Sequence, residues 1–271
     1  MAKRENIRKP CVAGRFYPGS KAGLEKSVAS YLVDTPKEDA LVLICPHAGY
    51  MYSGKTAGMA FSSVNIPERV ILIGPNHTGF GTDASVMTSG TWEIPTGKVE
   101  IDEELASEVL ASSPLFQRDS EAHENEHSLE VQLPFIHAIN PSAEIVPITV
   151  MRAGRSECEE MGKALARVIS KAKGETLLLV SSDMNHYESD EVTRAKDSLA
   201  IEKITALDAR GLLEVTGKED ITMCGVLPAA IAIFAAKALG ATRARLISHT
   251  TSGETSGDMN EVVGYAGIVI S

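Results

Sequence analysis

Short apolar runs that stop abruptly at a polar turn recur along the chain. Leu41-Val-Leu-Ile-Cys45 is apolar throughout and is broken by Pro46 and Gly49, the pattern of a strand buried on both faces that delivers His47 to a rim. Arg69-Val-Ile-Leu-Ile-Gly-Pro75 repeats it with His77 just beyond. Thr176-Leu-Leu-Leu-Val-Ser-Ser182 repeats it with Asp183 and His186, and Arg245-Leu-Ile-Ser-His249 is a weaker copy. Between these runs the apolar spacing becomes helical. Leu24, Val28, Tyr31 and Leu32 mark a first helix, and Ser53 to Val64 a second, rich in small residues suited to close packing on a sheet. Asp102 caps a helix bearing Leu105, Val109 and Leu110, and Glu144 to Val150 reads as a strand. A helical stretch from His123 to Ile139 is interrupted by Pro134, and Arg155 to Ala172 is strongly periodic.

Ser189 to Leu213 is charged and helical, as expected of a surface element, whereas Cys224 to Gly240 is almost wholly apolar and must be buried. A polar loop from Thr250 to Asp258 precedes a closing strand from Val262 to Ile270. Gly81 to Val99, rich in Gly, Thr and Ser around Trp92, is expected to be a loop or short hairpin beside the cleft. The alternation of strand and helix predicts a single α/β domain over residues 1–271, with a mostly parallel, helix-covered central sheet.

Composition adds mainly exclusions. No apolar run reaches the roughly 18 residues of a membrane span, and the polar, basic start Met1 to Pro10 carries no secretory signal, so a soluble, cytoplasmic protein is expected. Cys11, Cys45, Cys158 and Cys224 are scattered with no CxxC pair, which argues for free thiols rather than a disulfide framework or zinc finger. A net charge of −10 without a basic run argues against nucleic acid. Glycine-rich nucleotide-binding motifs are absent, and the oligomeric state is open.

In open α/β sheets ligands bind beyond the carboxyl ends of the strands, so strands that end in His47, His77, Asp183 and His186 are expected to bring these groups into one cleft. Cys224, at the start of the buried helix, stands where helix N–H groups favour a thiolate. With His47 and His77 it makes a three-ligand metal site with positions left open. Asp183 and His186 suit ligand orientation and proton transfer. His123-Glu-Asn-Glu-His127 matches the zinc-protease pattern H-E-x-x-H, but Glu130 and Leu133 stand where the longer metzincin form needs Gly and His, and its flanks are polar. His127 alone is kept as a proton-moving candidate. Arg15, Tyr17 and Tyr50 are candidates for substrate contact.

Pro46-His-Ala-Gly-Tyr50, Gly74-Pro-Asn-His77, Glu126-His-Ser-Leu-Glu130, Ser181-Ser-Asp-Met-Asn-His186 and Cys224-Gly, in this order, resemble the MEMO family over essentially the whole chain. The resemblance implies a fold similar to that of class III extradiol dioxygenases, which open catechol rings with non-haem Fe(II). It also implies metal ligands at His47, His77 and Cys224, with Asp183 and His186 close by. Extradiol dioxygenases use two His and a Glu; here a softer thiolate replaces the carboxylate, which keeps copper beside Fe(II) as the expected ion. The function implied is a metal-dependent redox protein acting on a small molecule. The alternative is a non-catalytic binding or signalling protein that holds a peptide or phosphorylated ligand in the same cleft, as animal members are described to do, with Arg15 supplying anion contacts.

Overall fold

The computed structural model describes residues 6–271. In chain order the elements are β1 (Ile7–Arg8), α1 (Lys21–Tyr31), β2 (Val42–Cys45), α2 (Tyr50–Ser62), β3 (Arg69–Pro75), β4 (Ala84–Val86), β5 (Thr91–Ile94) and β6 (Gly97–Glu100). Then follow α3 (Glu103–Ser112), β7 (Gln117–Arg118), α4 (Glu121–Glu124), a 3-10 turn (Glu130–Gln132), α5 (Leu133–Ile139), β8 (Glu144–Val150), α6 (Arg155–Lys171), β9 (Thr176–Ser181) and β10 (His186–Glu188). The chain closes with α7 (Asp190–Thr205), α8 (Ala209–Lys218), α9 (Val226–Ala238), β11 (Ala244–Thr251), α10 (Gly253–Ser256) and β12 (Val262–Ile270).

The apolar runs form the middle of the main sheet. Strands β2, β9, β3 and β8 lie side by side and parallel, and their inner residues, among them Leu43, Ile44, Ile71, Leu72, Leu179 and Ile145, are fully buried. Antiparallel strands flank this centre, β12 against β2 and β4 against β8, with β10 and β11 both paired to β12. The sheet is therefore mixed, parallel at its centre and antiparallel toward its margins. β1, β5 and β6 form a separate three-stranded sheet.

The crossover β2–α2–β3 passes over β9 in one direction, and β8–α6–β9 passes back over β3 in the other. Because such crossovers are right-handed, α2 and α6 cover opposite faces. The α6 side also carries α9, whose Ala229 to Ile233 are fully buried against β9, β2 and β3. The other side carries α2 with α1 and α5 packed on it. From the carboxyl end of β2 the chain leaves toward β3, and from that of β9 it returns through α7, α8 and α9 to β11 and β12 on the far side of β2. The crevice between the ends of β2 and β9 is thus a topological switch point, the usual ligand position in such sheets.

Several elements differ from the sequence pattern. The stretch 123–139 is not one helix: α4 ends at Glu124, an irregular turn follows, and Pro134 sits in the first turn of α5, where its missing N–H costs nothing. The 81–99 excursion supplies β4 and the β5–β6 hairpin, and none of it lines the cleft. Its Trp92 is instead fully buried, with the Arg8 guanidinium 4.3 Å over the ring. Residues 189–213 are split by Leu207, whose left-handed backbone (φ 54°) separates α7 from α8, and α7 buries Thr193, Asp197, Ala200 and Ile204.

Candidate functional site

Three strands end level at the crevice, and each presents its chemical group two residues beyond its last paired position. His47 follows Cys45 of β2, His77 follows Pro75 of β3, and Asp183 follows Ser181 of β9. Cys45 and Ser181 are register partners, which sets His47 beside Asp183. The Asp183 Oδ1 accepts from the His47 N–H at 2.7 Å and the Ala48 N–H at 3.3 Å, so the turn after β2 is capped from the neighbouring strand. Gly74 makes room for this convergence: a Cβ there would lie 2.7 Å from Leu129 and 3.2 Å from Ser181 Cβ.

Cys224 arrives from the opposite face. It stands just ahead of Gly225, the N-cap of α9, and its Sγ lies 3.2 Å from His47 Nε2 and 3.3 Å from the Asp183 N–H. Ligand atoms of His47, His77 and Cys224 all lie within 4.8 Å of one another. His127 completes a group of three imidazoles, its ring 4.7 Å from that of His77 and 5.5 Å from that of His47.

Hydrogen bonds fix the protons of these rings. Ser181 Oγ has one proton, and it goes to the Ser128 carbonyl at 2.6 Å. Gln132 Nε2 donates to the Pro46 carbonyl at 2.9 Å and to Ser181 Oγ at 2.8 Å. Ser181 Oγ, 2.9 Å from His47 Nδ1, therefore serves as an acceptor there, so Nδ1 carries the proton and Nε2 offers its lone pair toward Cys224. His186 Nδ1 donates to the Thr222 carbonyl at 2.9 Å, again leaving Nε2 available. His77 Nδ1 bonds Glu126 Oε1 at 2.9 Å, with the same consequence.

Burial and the neighbouring imidazoles hold His47 well below the usual histidine range. Burial alone would lower His77 as well, but its hydrogen bond to Glu126 and that carboxylate's charge raise it. Glu126 is buried, yet its donors hold it down at about 2. Burial pushes Asp183 up to about 7 against the pull of its two N–H donors, and burial lowers His127 and His186. Cys224 is raised by burial and by Asp183. Burial thus works against the thiolate expected of a helix N-terminus, and Cys224 stands one residue ahead of the N-cap Gly225 rather than within the first turn of α9.

A family model described as Memo-like protein matches residues 8–269. The chain belongs to the Memo family. It is 42% identical over 275 residues to a MEMO1 family protein of Caldivirga maquilingensis (96% of this chain, 98% of the relative) and 43% over 276 to one of Pyrobaculum arsenaticum (97% and 98%). One of Aquifex aeolicus is 41% identical over 266 residues, covering 97% of this chain and 98% of the relative. The crystal structure of an uncharacterized protein from Escherichia coli K12 superposes with a TM-score of 0.55 at 14% identity, covering 84% of this chain and 98% of that one, a likeness of fold alone.

In this Memo chain the cleft measures about 940 Å3 and is lined by Arg15, Tyr17, His47, Tyr50, His77, His127, Asp183 and His186 among others. All six tyrosines, Tyr17, Tyr31, Tyr50, Tyr52, Tyr187 and Tyr265, line it. Arg15 is exposed at its edge. The hydroxyls of Tyr17 and Tyr50 are already engaged, donating to Glu130 Oε1 at 2.6 Å and the Val131 carbonyl at 2.7 Å, so these residues offer the cleft their rings. His249 stays apart, bonded to Asp197 Oδ2 at 2.7 Å. His123 is fully buried against Trp92 and no helix joins it to His127, so the zinc-protease pattern has no counterpart here. Sequence reasoning passed over Glu126, Ser181 and Gln132 as site residues; the available signal was that Glu126 and Ser181 each open one of the motifs shared with the family, whereas Gln132 gave none.

The donor set fits a soft or borderline cation. Two imidazoles present lone pairs opposite a sulfur, with space above them and no excess of hard oxygen donors.

Proposed function

We propose that this cleft is a metal centre in which His47, His77 and Cys224 hold iron or copper, and that it serves redox chemistry on a small molecule, as in the extradiol dioxygenases whose fold the family resembles. The convergence of two ring nitrogens and Sγ within 4.8 Å, at the floor of an aromatic-walled cleft, carries this reading. Such an ion, when bound, supplies one-electron redox and Lewis-acid polarisation of a ligand.

The rest is the work of the protein. His47 and His77 are held with Nδ1 protonated and Nε2 ready to ligate, without a rotamer search. His186, its Nδ1 fixed on Thr222, keeps Nε2 for taking a proton from a ligand or returning it. Asp183 holds the turn that carries His47 through its Oδ1, which accepts from the His47 and Ala48 N–H groups, and His127 stands as a second proton acceptor over the stacked His77 ring. The tyrosine rings supply flat apolar walls that exclude water and favour a planar ligand.

Elemental analysis of anaerobically purified protein, beside Cys224→Ala and His47→Ala, tests this. Near-stoichiometric iron or copper lost in both variants is expected. An intact protein without metal that also fails to bind added Fe(II) or Cu would overturn the reading and turn attention to a peptide or phosphorylated ligand at Arg15.

A further inference from the structure

Glu126 ends no strand and is not one of the ligands His47, His77 and Cys224, yet it is fully buried between His77 and His127, with which it forms a second cluster of donor atoms within 4.8 Å of one another. Its Oε1 accepts from His77 Nδ1 at 2.9 Å and from the Ser128 N–H at 2.9 Å, and lies 3.4 Å from His127 Nδ1; its Oε2 accepts from the His77 backbone N–H. Each of these polar partners of the carboxylate is a nitrogen that can donate. The backbone that carries it is pinned in turn, with Arg8 Nη2 donating to the Glu126 carbonyl at 2.6 Å and Arg8 Nε to the His123 carbonyl at 2.9 Å.

We propose that Glu126 is a positioning residue: one buried carboxylate fixes both the ring orientation and the proton of His77, so that Nε2 faces the cleft, and tethers His127 alongside. The tautomer follows from the hydrogen-bond geometry of the protein itself; the consequence for a ligated ion rests on the metal-centre reading. A cation placed among His77, Glu126 and His127 instead would have to displace the N–H donors of both His77 and Ser128. Glutamine cannot substitute. Its amide NH2 would face the His77 N–H in one orientation, and the Ser128 N–H and His77 Nδ1–H in the other, so an isosteric change sets donor against donor or turns the His77 ring.

The test is long-range 1H–15N correlation on uniformly 15N-labelled, metal-free protein, with zinc affinity measured by chelator competition and Glu93→Gln as a surface control. Wild-type His77 is expected as the Nδ1–H tautomer. Glu126→Gln should convert it to the Nε2–H form or a mixture and weaken zinc about 10–100-fold, as for other partners of a ligand histidine, while Glu93→Gln changes neither. A wild-type His77 protonated at Nε2 overturns the proposal even if Glu126→Gln does not fold, as does a folded variant with unchanged His77 signals and zinc affinity within about twofold. Wild-type protein that binds no metal, yet shows a Nδ1–H His77 that is lost in Glu126→Gln, upholds the clamp and removes the metal reading.

Discussion

A single hydroxyl proton at Ser181 settles the state of the deepest ring in the cleft. Ser181→Ala would leave the Ser128 carbonyl without its donor and the His47 Nδ1–H and one Gln132 N–H without an acceptor, all in a buried setting. A loss of about 2–3 kcal/mol in urea unfolding is expected, the scale of buried polar groups left unpartnered. Asp183 makes a separate prediction. Its folded value of about 7 lies above the unfolded carboxylate value of 3.8, so between these pH values the native state holds a proton that the unfolded chain has released. Asp183 therefore lowers stability as pH rises through that window, and the cost persists above it. In Asp183→Asn the oxygen accepting from His47 and Ala48 is kept and the titration is gone; urea midpoints at about pH 4 and about pH 7.5 should show the variant gaining on the wild type as pH rises. His47, His77 and Asp183 were legible in the sequence because each ends an apolar run. Ser181 and Gln132 were not, since a serine closing a strand and a glutamine ahead of a helix look ordinary until the register of β2 and β9 sets Ser181 beside the His47 turn and the 3-10 turn before α5 brings Gln132 to it.

Among the elements, one of the two shortest carries a large share of the site's order. β1 supplies Arg8, whose guanidinium ion-pairs with Glu130, stacks on Trp92 and donates to two carbonyls of the 123–130 segment. Arg8→Ala would leave Glu130 buried without its cation, a loss expected at about 3–5 kcal/mol. Hydrogen exchange should then rise through 121–130 before it rises in α6. α9 depends on a close approach instead: a Cβ on Gly225 would fall 2.4 Å from Ser182 Cβ. Gly225→Ala is thus expected to push Cys224 away from His47 and to abolish stoichiometric metal uptake while leaving the far end of the sheet intact. Strong periodicity revealed α6 from sequence alone, and an almost wholly apolar run revealed α9. The break between α4 and α5 was hidden, because the turn at 125–129 is held by Arg8 and Glu126 through tertiary hydrogen bonds that local spacing does not record.

For the molecule as a whole, the crossovers in opposite directions place the crevice where α2 and α9 diverge, and the antiparallel margins extend the sheet without altering that position. The strand-and-helix order was readable from hydrophobic rhythm. The order of strands within the sheet was not, because it depends on the route of the connections. No helix among the described residues is long and apolar enough to cross a membrane. On the proposed metal-centre reading, a site assembled from strand ends and the approach to α9 would link ion uptake to the entire fold. At a free-ion concentration of 100 times Kd, unfolding should cost about 2.7 kcal/mol more than in the metal-free protein, measurable as a rise in Tm absent from His47→Ala.

The arrangement of aromatic residues gives the protein an internal optical division. Its single tryptophan, Trp92, lies outside the cleft, sealed under Arg8, whereas all six phenol rings line the cleft wall. An ion or small molecule that enters should perturb the tyrosine bands of the ultraviolet difference spectrum and leave the indole bands silent. Occupancy of the cleft can therefore be followed by light absorption in unlabelled protein, with Trp92 as the built-in reference.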